Sequence, residues 1–413
     1  MTNLTDQETP PLGQPTPLLD QPAPLLDRSA CLTGQVIHLS GRVIVDATTE
    51  LTDIWSVGGR LVFERPARPA DRRIDGVVLP GLVDVHCHIG LGEKGAVTPA
   101  EARAQSLADR DSGVLLVRDA GCPRQPYDTR WLDDQIWAPR LVRCGQHLAI
   151  TKRYLRHLPR NVEPGQLPQA AQVEALAGDG WVKLVGDWID RSMPRPDLAL
   201  LWSDDELSQA VQRVHALGAR LTTHVFSAAG AAQALRCGVD CIEHGTGMDA
   251  AMMAQASRLG VPVVPTMIQR GNFAQIAASG QGKYPVWEAH LRRLYDERYA
   301  QVRALYDSGI QLLVGTDESA AIAHGSFYRE VDLMARAGIP AEVITAAASY
   351  AARRYLGVPG IEPDASADLV VYPADPRQSV AVLGCPKAVV LRGEVVAGTI
   401  TGRSRPPGKV TER

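Results

Sequence analysis

Between about Val77 and Leu356 short apolar runs alternate with amphipathic stretches, and several runs end in a polar residue. The runs are VVLPGLVDVHCH, GVLLVRDAG, RLVRCGQ, WVKLVGD, RLTTHV, CIEHG, VPVVPTM and IQLLVGTDE. Short β-branched runs separated by helical periodicity, such as Asp204 to Leu217 and Ala228 to Cys237, read as parallel strands joined by helices. Two α/β architectures meet that pattern: an open doubly wound sheet and a closed (β/α)₈ TIM-like barrel. Polar residues at the C-terminal tips of many different strands favour the barrel, because only there do all the tips share one mouth.

The two ends of the chain read differently. Residues Val36 to Glu64 (VIHL, RVIVDA, SVGGRLVFE) and Ala367 to Val396 (ADLVVY, KAVVLRGEVV) are short β segments broken by glycine-containing turns. Together they predict a small β-sandwich domain, 31–76 plus 360–413, with the barrel (77–359) inserted between its halves. Residues 1–30, with the near-repeat PTPLLDQPAPLLD, read as a disordered proline-rich tail; acidic residues and prolines interrupt any membrane-spanning or secretory apolar run.

Composition narrows the partners. A net charge of -3 with 22% charged residues gives no polyelectrolyte character, so neither nucleic acid nor a membrane is the expected partner. The seven cysteines are scattered without a CxxC pair, which argues against a structural thiolate zinc site and for a reducing, cytoplasmic setting. Helices ringing a barrel are the surface through which a homo-oligomer would form.

The chemistry concentrates at the strand tips. His86 and His88 flank Cys87, and alternation on a strand turns both imidazoles to one face and the thiol to the other. Lys183, His224, His244 and Asp317 each end a separate run. Arg118 and Asp119 at the second tip read as a bracing pair. Glu243, next to His244, should face the opposite way and is not the expected base.

The ordered set LPGLVDVHCH, GVLLVRDAG, VKLVG, THVFSAAGAAQALRCGVDCIEHGT and VGTDE resembles the amidohydrolase superfamily, in its imidazolonepropionase-like and Xaa-Pro dipeptidase (prolidase) branch. The resemblance runs from about residue 31 onward. It implies two divalent metal ions, with zinc the default. His86, His88 and Asp317 would bind the more buried ion and His224 and His244 the second. Lys183 would bridge both as a carboxylated lysine, since an ammonium has no lone pair to give a metal. A water shared by two dications would be the nucleophile and Asp317 the catalytic proton shuttle. In that branch a histidine after the third strand polarises the substrate carbonyl; His147 is the match, although Gly145-Gln146 replaces the usual glycine pair. Tyr154, Arg156, His157 and His324, with Arg329 beyond it, are candidate substrate-binding residues on the loops. The expected activity is hydrolysis of a C–N bond in a small molecule, a dipeptide or N-acyl amino acid. The alternatives are a cyclic amide or lactam hydrolase with a single ion and an inactive scaffold; the complete ligand set opposes the scaffold. A deaminase is disfavoured because THVFSAAG lacks a shuttle glutamate.

Overall fold

The computed structural model describes residues 34–398. The proline-rich tail, Cys31 and the last stretch of the predicted terminal domain lie outside the described residues.

The predicted runs appear as parallel strands. Leu82–Cys87 pairs with Val114–Asp119, which pairs with Arg140–Arg143. A second sheet carries Trp181–Val185, Arg220–Val225, Cys241–His244 and Val263–Val264 in order, each parallel to the last. The run after Gly309 joins the two sheets. Val263 N donates to Gln311 O and Leu313 N to Val263 O on one side. On the other, Val85 N donates to Val314 O and Asp317 N to His86 O. At the opposite seam Asp179 N donates to Arg143 O (2.8 Å). The arrangement is TIM-barrel-like, and the C-terminal tips converge.

Local chemistry explains the intervening helices. Asp204–Ala216 begins with a capping box: Ser203 accepts from Glu206 N and the Glu206 side chain returns to the Ser203 backbone. Ala228–Cys237 stops at Gly238, whose φ of 81° is left-handed. Both lie close to where the 3.6-residue periodicity puts them.

The chain ends share one seven-stranded sheet. Where a sandwich of two sheets was the expectation, hydrogen bonding here runs through a single mixed sheet. Arg72–Pro80 is its hinge, parallel to Val36–Ile44 and antiparallel to Leu369–Tyr372. A register irregularity between Ser40 and Val43 lets the sheet curl. The edge strand Arg60–Val62 then reaches the segment before Leu369, with Leu61 N donating to Ala365 O (2.8 Å). The curl encloses Ile37, Leu39, Ile54, Leu61, Ile74 and Val390.

Asp368 joins this sheet to the parallel strands. Its Oδ2 accepts from Arg140 Nε (2.7 Å) and its Oδ1 from Arg392 N (2.9 Å) and Ser366 Oγ (3.0 Å). Burial would raise the carboxyl's pKa, but Arg140, Arg353 and Arg392 outweigh it and hold it well below the usual range. Among the described residues, no helix is long and apolar enough to cross a membrane.

Candidate metal centre

Four of the six expected ligands are tied together by close contacts of their polar atoms. Asp317 Oδ1 lies 3.2 Å from His86 Nε2 and 3.3 Å from His88 Nε2. Lys183 Nζ lies 3.4 Å from the same His86 nitrogen. The remaining two rings stack onto this group: His244 is 5.2 Å from His86 and 4.6 Å from His224, centroid to centroid. All four imidazoles and Lys183 are buried.

The backbone is bent to bring them there. His244, Thr266 and Asp317 have φ of 65°, 45° and 61°. Left-handed backbone in non-glycine residues costs about 1–3 kcal/mol each and concentrates where function demands it. The bend at His244 breaks strand alternation, so Glu243 and His244 both serve the site. Gly315 allows the closest approach; a Cβ there would sit 2.7 Å from His86 Cβ and 2.6 Å from Val264 Cγ1.

Outer hydrogen bonds fix which nitrogen each ring presents. His86 Nδ1 faces Glu243 Oε2 (2.8 Å). His88 Nδ1 donates to Gly121 O (3.1 Å). His244 Nδ1 meets Thr266 Oγ1 (2.7 Å), whose own hydroxyl donates to Pro265 O (2.8 Å), so the ring is the donor. With Nδ1 of each ring facing an oxygen, Nε2 is the nitrogen left for the interior, and in a neutral ring it would carry the lone pair that a metal takes. Glu243 is in turn held by Arg118 and Thr222 Oγ1, and Arg118 also donates to Val85 O (2.7 Å). Arg118 therefore braces, as its position in the sequence suggested. Glu243 faces inward as an orienting group for His86, contrary to the outward direction expected from simple alternation. Asp84 does similar work on the backbone, accepting from His86 N (3.0 Å) and from Thr316 Oγ1 (2.6 Å).

The electrostatics are those of a cation site. Burial alone would raise the Asp317 carboxyl, but the facing imidazoles, led by His86, hold it well below the usual range. Burial drives His224 and His244 well below ordinary histidine values, with Lys183 and His224 respectively adding to the effect. Burial also lowers the Lys183 amine. Burial would lower the His86 ring, but Glu243 and Asp317 on its two sides outweigh it and raise its pKa, since only the protonated ring donates to both. A dication at Nε2 would stand where that second proton does. The donor set fits: ligands about 2.1 Å from an ion at tetrahedral angles stand about 3.4 Å apart, close to the observed 3.2 and 3.3 Å. Buried His224 Nε2 has no hydrogen-bond partner among the described residues, with Asp187 Oδ1 3.9 Å away, as a ligand atom without its ion would be.

The loop candidates divide. His147 lies beside the centre, its ring 6.1 Å from His88, and its Nδ1 donates to Gly121 O (2.9 Å). Burial, then His88, lowers its pKa to about 3, so the ring is neutral and its buried, unpartnered Nε2 is an acceptor. Polarising a carbonyl would require a second proton, which burial opposes. Tyr154 packs at the mouth against Trp188 (4.6 Å), His147 (5.8 Å) and His224 (6.0 Å). Its neighbour Arg153 pins that loop to Asp190 (3.2 Å). Arg156, His157 and Arg329 are exposed. His324 stands behind the strand, its Nδ1 2.9 Å from Asp109 and 3.8 Å from Cys87 Sγ, on the face opposite His86 and His88. The sequence gave no sign of Trp188 or Thr266, which come from a hairpin after the fourth parallel strand and the bent tip of the seventh.

Residues 77–396 match the amidohydrolase family. An uncharacterised protein of Mycobacterium tuberculosis (strain ATCC 25618 / H37Rv) is 47% identical over 342 residues, covering 82% of this chain and 90% of that one. Among solved structures, a Xaa-Pro dipeptidase with bound methionine in the active site superposes with a TM-score of 0.70 at 21% identity, covering 88% of this chain and all of that one (100%). Ochratoxinase of A. niger gives 0.70 at 18% identity, with 88% and 96% covered. The matched span exceeds half the sequence and contains every residue of the centre, and on that ground the chain belongs to the amidohydrolase family.

Proposed function

We propose that this enzyme of carbon–nitrogen bonds is a binuclear metal-dependent hydrolase that cleaves an amide of a small molecule, a dipeptide or N-acyl amino acid. In this reading the parallel strands form one (β/α)₈ barrel over about 77–359, and the strands from both chain ends form the attached β domain. The carrying observation is a shared orientation: Nδ1 of His86, His88 and His244 each faces an oxygen outside the centre, while Nε2 of His86 and His88 lies against Asp317 and Lys183 reaches the same His86 nitrogen. Such second partners are what orient metal-ligating imidazoles.

His86, His88 and Asp317 would hold one ion, His224 and His244 the other, with zinc the first choice for this mixture of imidazole and carboxylate. Bound there, the ions supply an acidified water and a Lewis acid for the scissile carbonyl. Lys183 joins the set as a carbamate. Burial lowers its amine, and the neutral amine is the form that adds CO₂, its displaced proton going to solvent. Asp317, held ionised by its neighbours, takes a proton from the water and returns it to the leaving amine. His147 Nε2 accepts a hydrogen bond from the substrate. Tyr154, Trp188 and Phe226 form an aromatic wall around His224, which suits an apolar or aromatic acyl group. The six described cysteines are all unpaired, in keeping with a reducing compartment such as the cytoplasm.

The test is a screen of the metal-loaded protein against N-acyl amino acids, Xaa-Pro and other dipeptides, hydantoins and lactams, with a chelator control. Chelator-sensitive release of amino acid from a linear amide is the expected result. Turnover confined to cyclic amides, with one ion per chain, would replace this reading with the lactam hydrolase.

A further inference from the structure

Four donors of different chemistry meet on the outer face of the same two strand tips. Cys87 lies between His86 and His88 but points outward. Glu318 follows Asp317. Asp109 comes from the helix Pro99–Asp111 and His324 from the loop after Glu318. Cys87, Asp109 and Glu318 are buried, and the His324 side chain is 5% exposed. Neither carboxylate has a lysine or arginine partner among the described residues; their ion-pair contacts are both to the single ring of His324, and the two carboxyl groups share a hydrogen bond with each other.

The arrangement is directed inward. Asp109 spends Oδ1 on Gly325 N (3.0 Å) and turns Oδ2 to the centre. Glu318 spends Oε1 on Ser326 N (2.6 Å) and turns Oε2 to the same point. The thiol Sγ stands 3.8 Å from Asp109 Oδ2, 3.9 Å from Glu318 Oε2 and 3.8 Å from His324 Nδ1. The ring Nδ1 stands 2.9 and 3.6 Å from the two carboxylate oxygens. A zinc ion with sulfur at about 2.3 Å and nitrogen or oxygen at about 2.0–2.1 Å sets tetrahedral edges of about 3.6 Å to sulfur and about 3.4 Å between the rest. Of the six edges, four scatter around those values by a few tenths of an ångström, the His324–Asp109 contact is shorter, and the Asp109–Glu318 edge lies within 4.8 Å. Backbone N–H groups orient both carboxylates as outer partners do in metal sites.

Against the expectation drawn from cysteine spacing, we propose that Cys87, Asp109, Glu318 and His324 form a second metal centre: a closed, four-coordinate structural site for a zinc-like dication with a single thiolate, separate from the catalytic pair. Four protein ligands leave no open position, so the site does no hydrolysis. Its ion clamps the first strand, the following helix and the loop after Asp317, and so tethers the segments that carry His86, His88 and Asp317 from behind. Loading displaces the ligand protons to solvent.

Sulfur makes the test specific, because the proposed catalytic pair has only nitrogen and oxygen donors. The full-length protein is loaded with cobalt(II) and its near-ultraviolet spectrum recorded, with zinc X-ray absorption as the parallel measurement. The expected result is a thiolate-to-cobalt charge-transfer band and a sulfur neighbour at about 2.3 Å from zinc. Cys87→Ser and His324→Gln should each lose about one metal equivalent per chain, and Cys87→Ser should lose the band. Cys122→Ser is the control; this thiol also lies near His88 and Asp119 but donates to Ile89 O (3.1 Å), and its loss should leave the band in place. Unsubstituted protein that binds metal with no sulfur neighbour would overturn the proposal even if the variants failed to fold. A band that follows Cys122 rather than Cys87 would overturn it too. Either outcome is independent of whether the inner centre hydrolyses amides.

Discussion

Asp317 and Asp368 are both carboxylates held well below the usual range, yet they do opposite work. Asp368 is answered by fixed cations, Arg140, Arg353 and Arg392, and both its oxygens accept hydrogen bonds. Asp317 is answered by the Nε2 atoms of His86 and His88, groups that can give up a proton and take a metal, and by a lysine whose amine burial pushes toward neutrality. The difference separates a joint from a site. An anion saturated by arginines holds two parts of a fold together. An anion among lone-pair donors leaves coordination capacity unspent, and that capacity is what a dication uses.

The sharpest way to break the contrast is to neutralise each in turn. Asp317→Asn should cut kcat about 10²–10⁴-fold, the range of a lost proton shuttle, with a smaller loss of stability in the metal-free protein than at Asp368, because its partners are imidazoles rather than three arginines. Steady-state kinetics and calorimetry on one preparation would check both halves. Asp368→Asn should do the reverse: about 3–5 kcal/mol of stability lost, as for a buried pair deprived of one partner, while the folded fraction turns over normally. Denaturant titration reads this directly.

The same carboxylate predicts a pH signature. Its folded pKa is depressed, so its contribution is present above the ordinary carboxylate range and is lost as pH falls. Acid unfolding followed by circular dichroism should be less steep in Asp368→Asn than in the parent. Glu243 belongs to both worlds, paired to Arg118 and orienting His86. Glu243→Gln should lower metal affinity or activity about 10–100-fold, measured by competition with a chromophoric chelator. Arg156→Ala should be nearly silent, within about 0.5 kcal/mol in stability and a few-fold in kcat/KM, because its side chain is exposed.

The legibility of the sequence followed the same division. Strand periodicity marks His86, His88, His224, His244 and Asp317 because each ends an apolar run, where local pattern and global geometry coincide, and Lys183 because it is the charged residue inside the apolar strand Trp181–Val185. Their partners were not legible. Glu243 was expected to face away because alternation assumes regular backbone, and the left-handed φ at His244 breaks it. His324 was expected at the mouth because it follows the eighth run, but a loop's direction is set by what it packs on, here Asp109 of a distant helix. Cys87 was correctly sent to the far face, although what waits there comes from three other places in the chain. The terminal strands were legible as strands; their union into one curled sheet depended on a register irregularity between Ser40 and Val43, where Gly41 (φ 117°) marks a bulge but not which strands it brings together.

Everything proposed for the inner face turns on six side chains gripping two cations. The direct measurement is a crystal structure of the metal-loaded protein with anomalous data collected at the metal edge. The account predicts two peaks about 3.5–4 Å apart, one among His86, His88 and Asp317 and one at His224 and His244, with density for CO₂ on Lys183 reaching both. A well-loaded crystal with no anomalous peak between those residues, or with Lys183 an unmodified amine turned away from them, would contradict it.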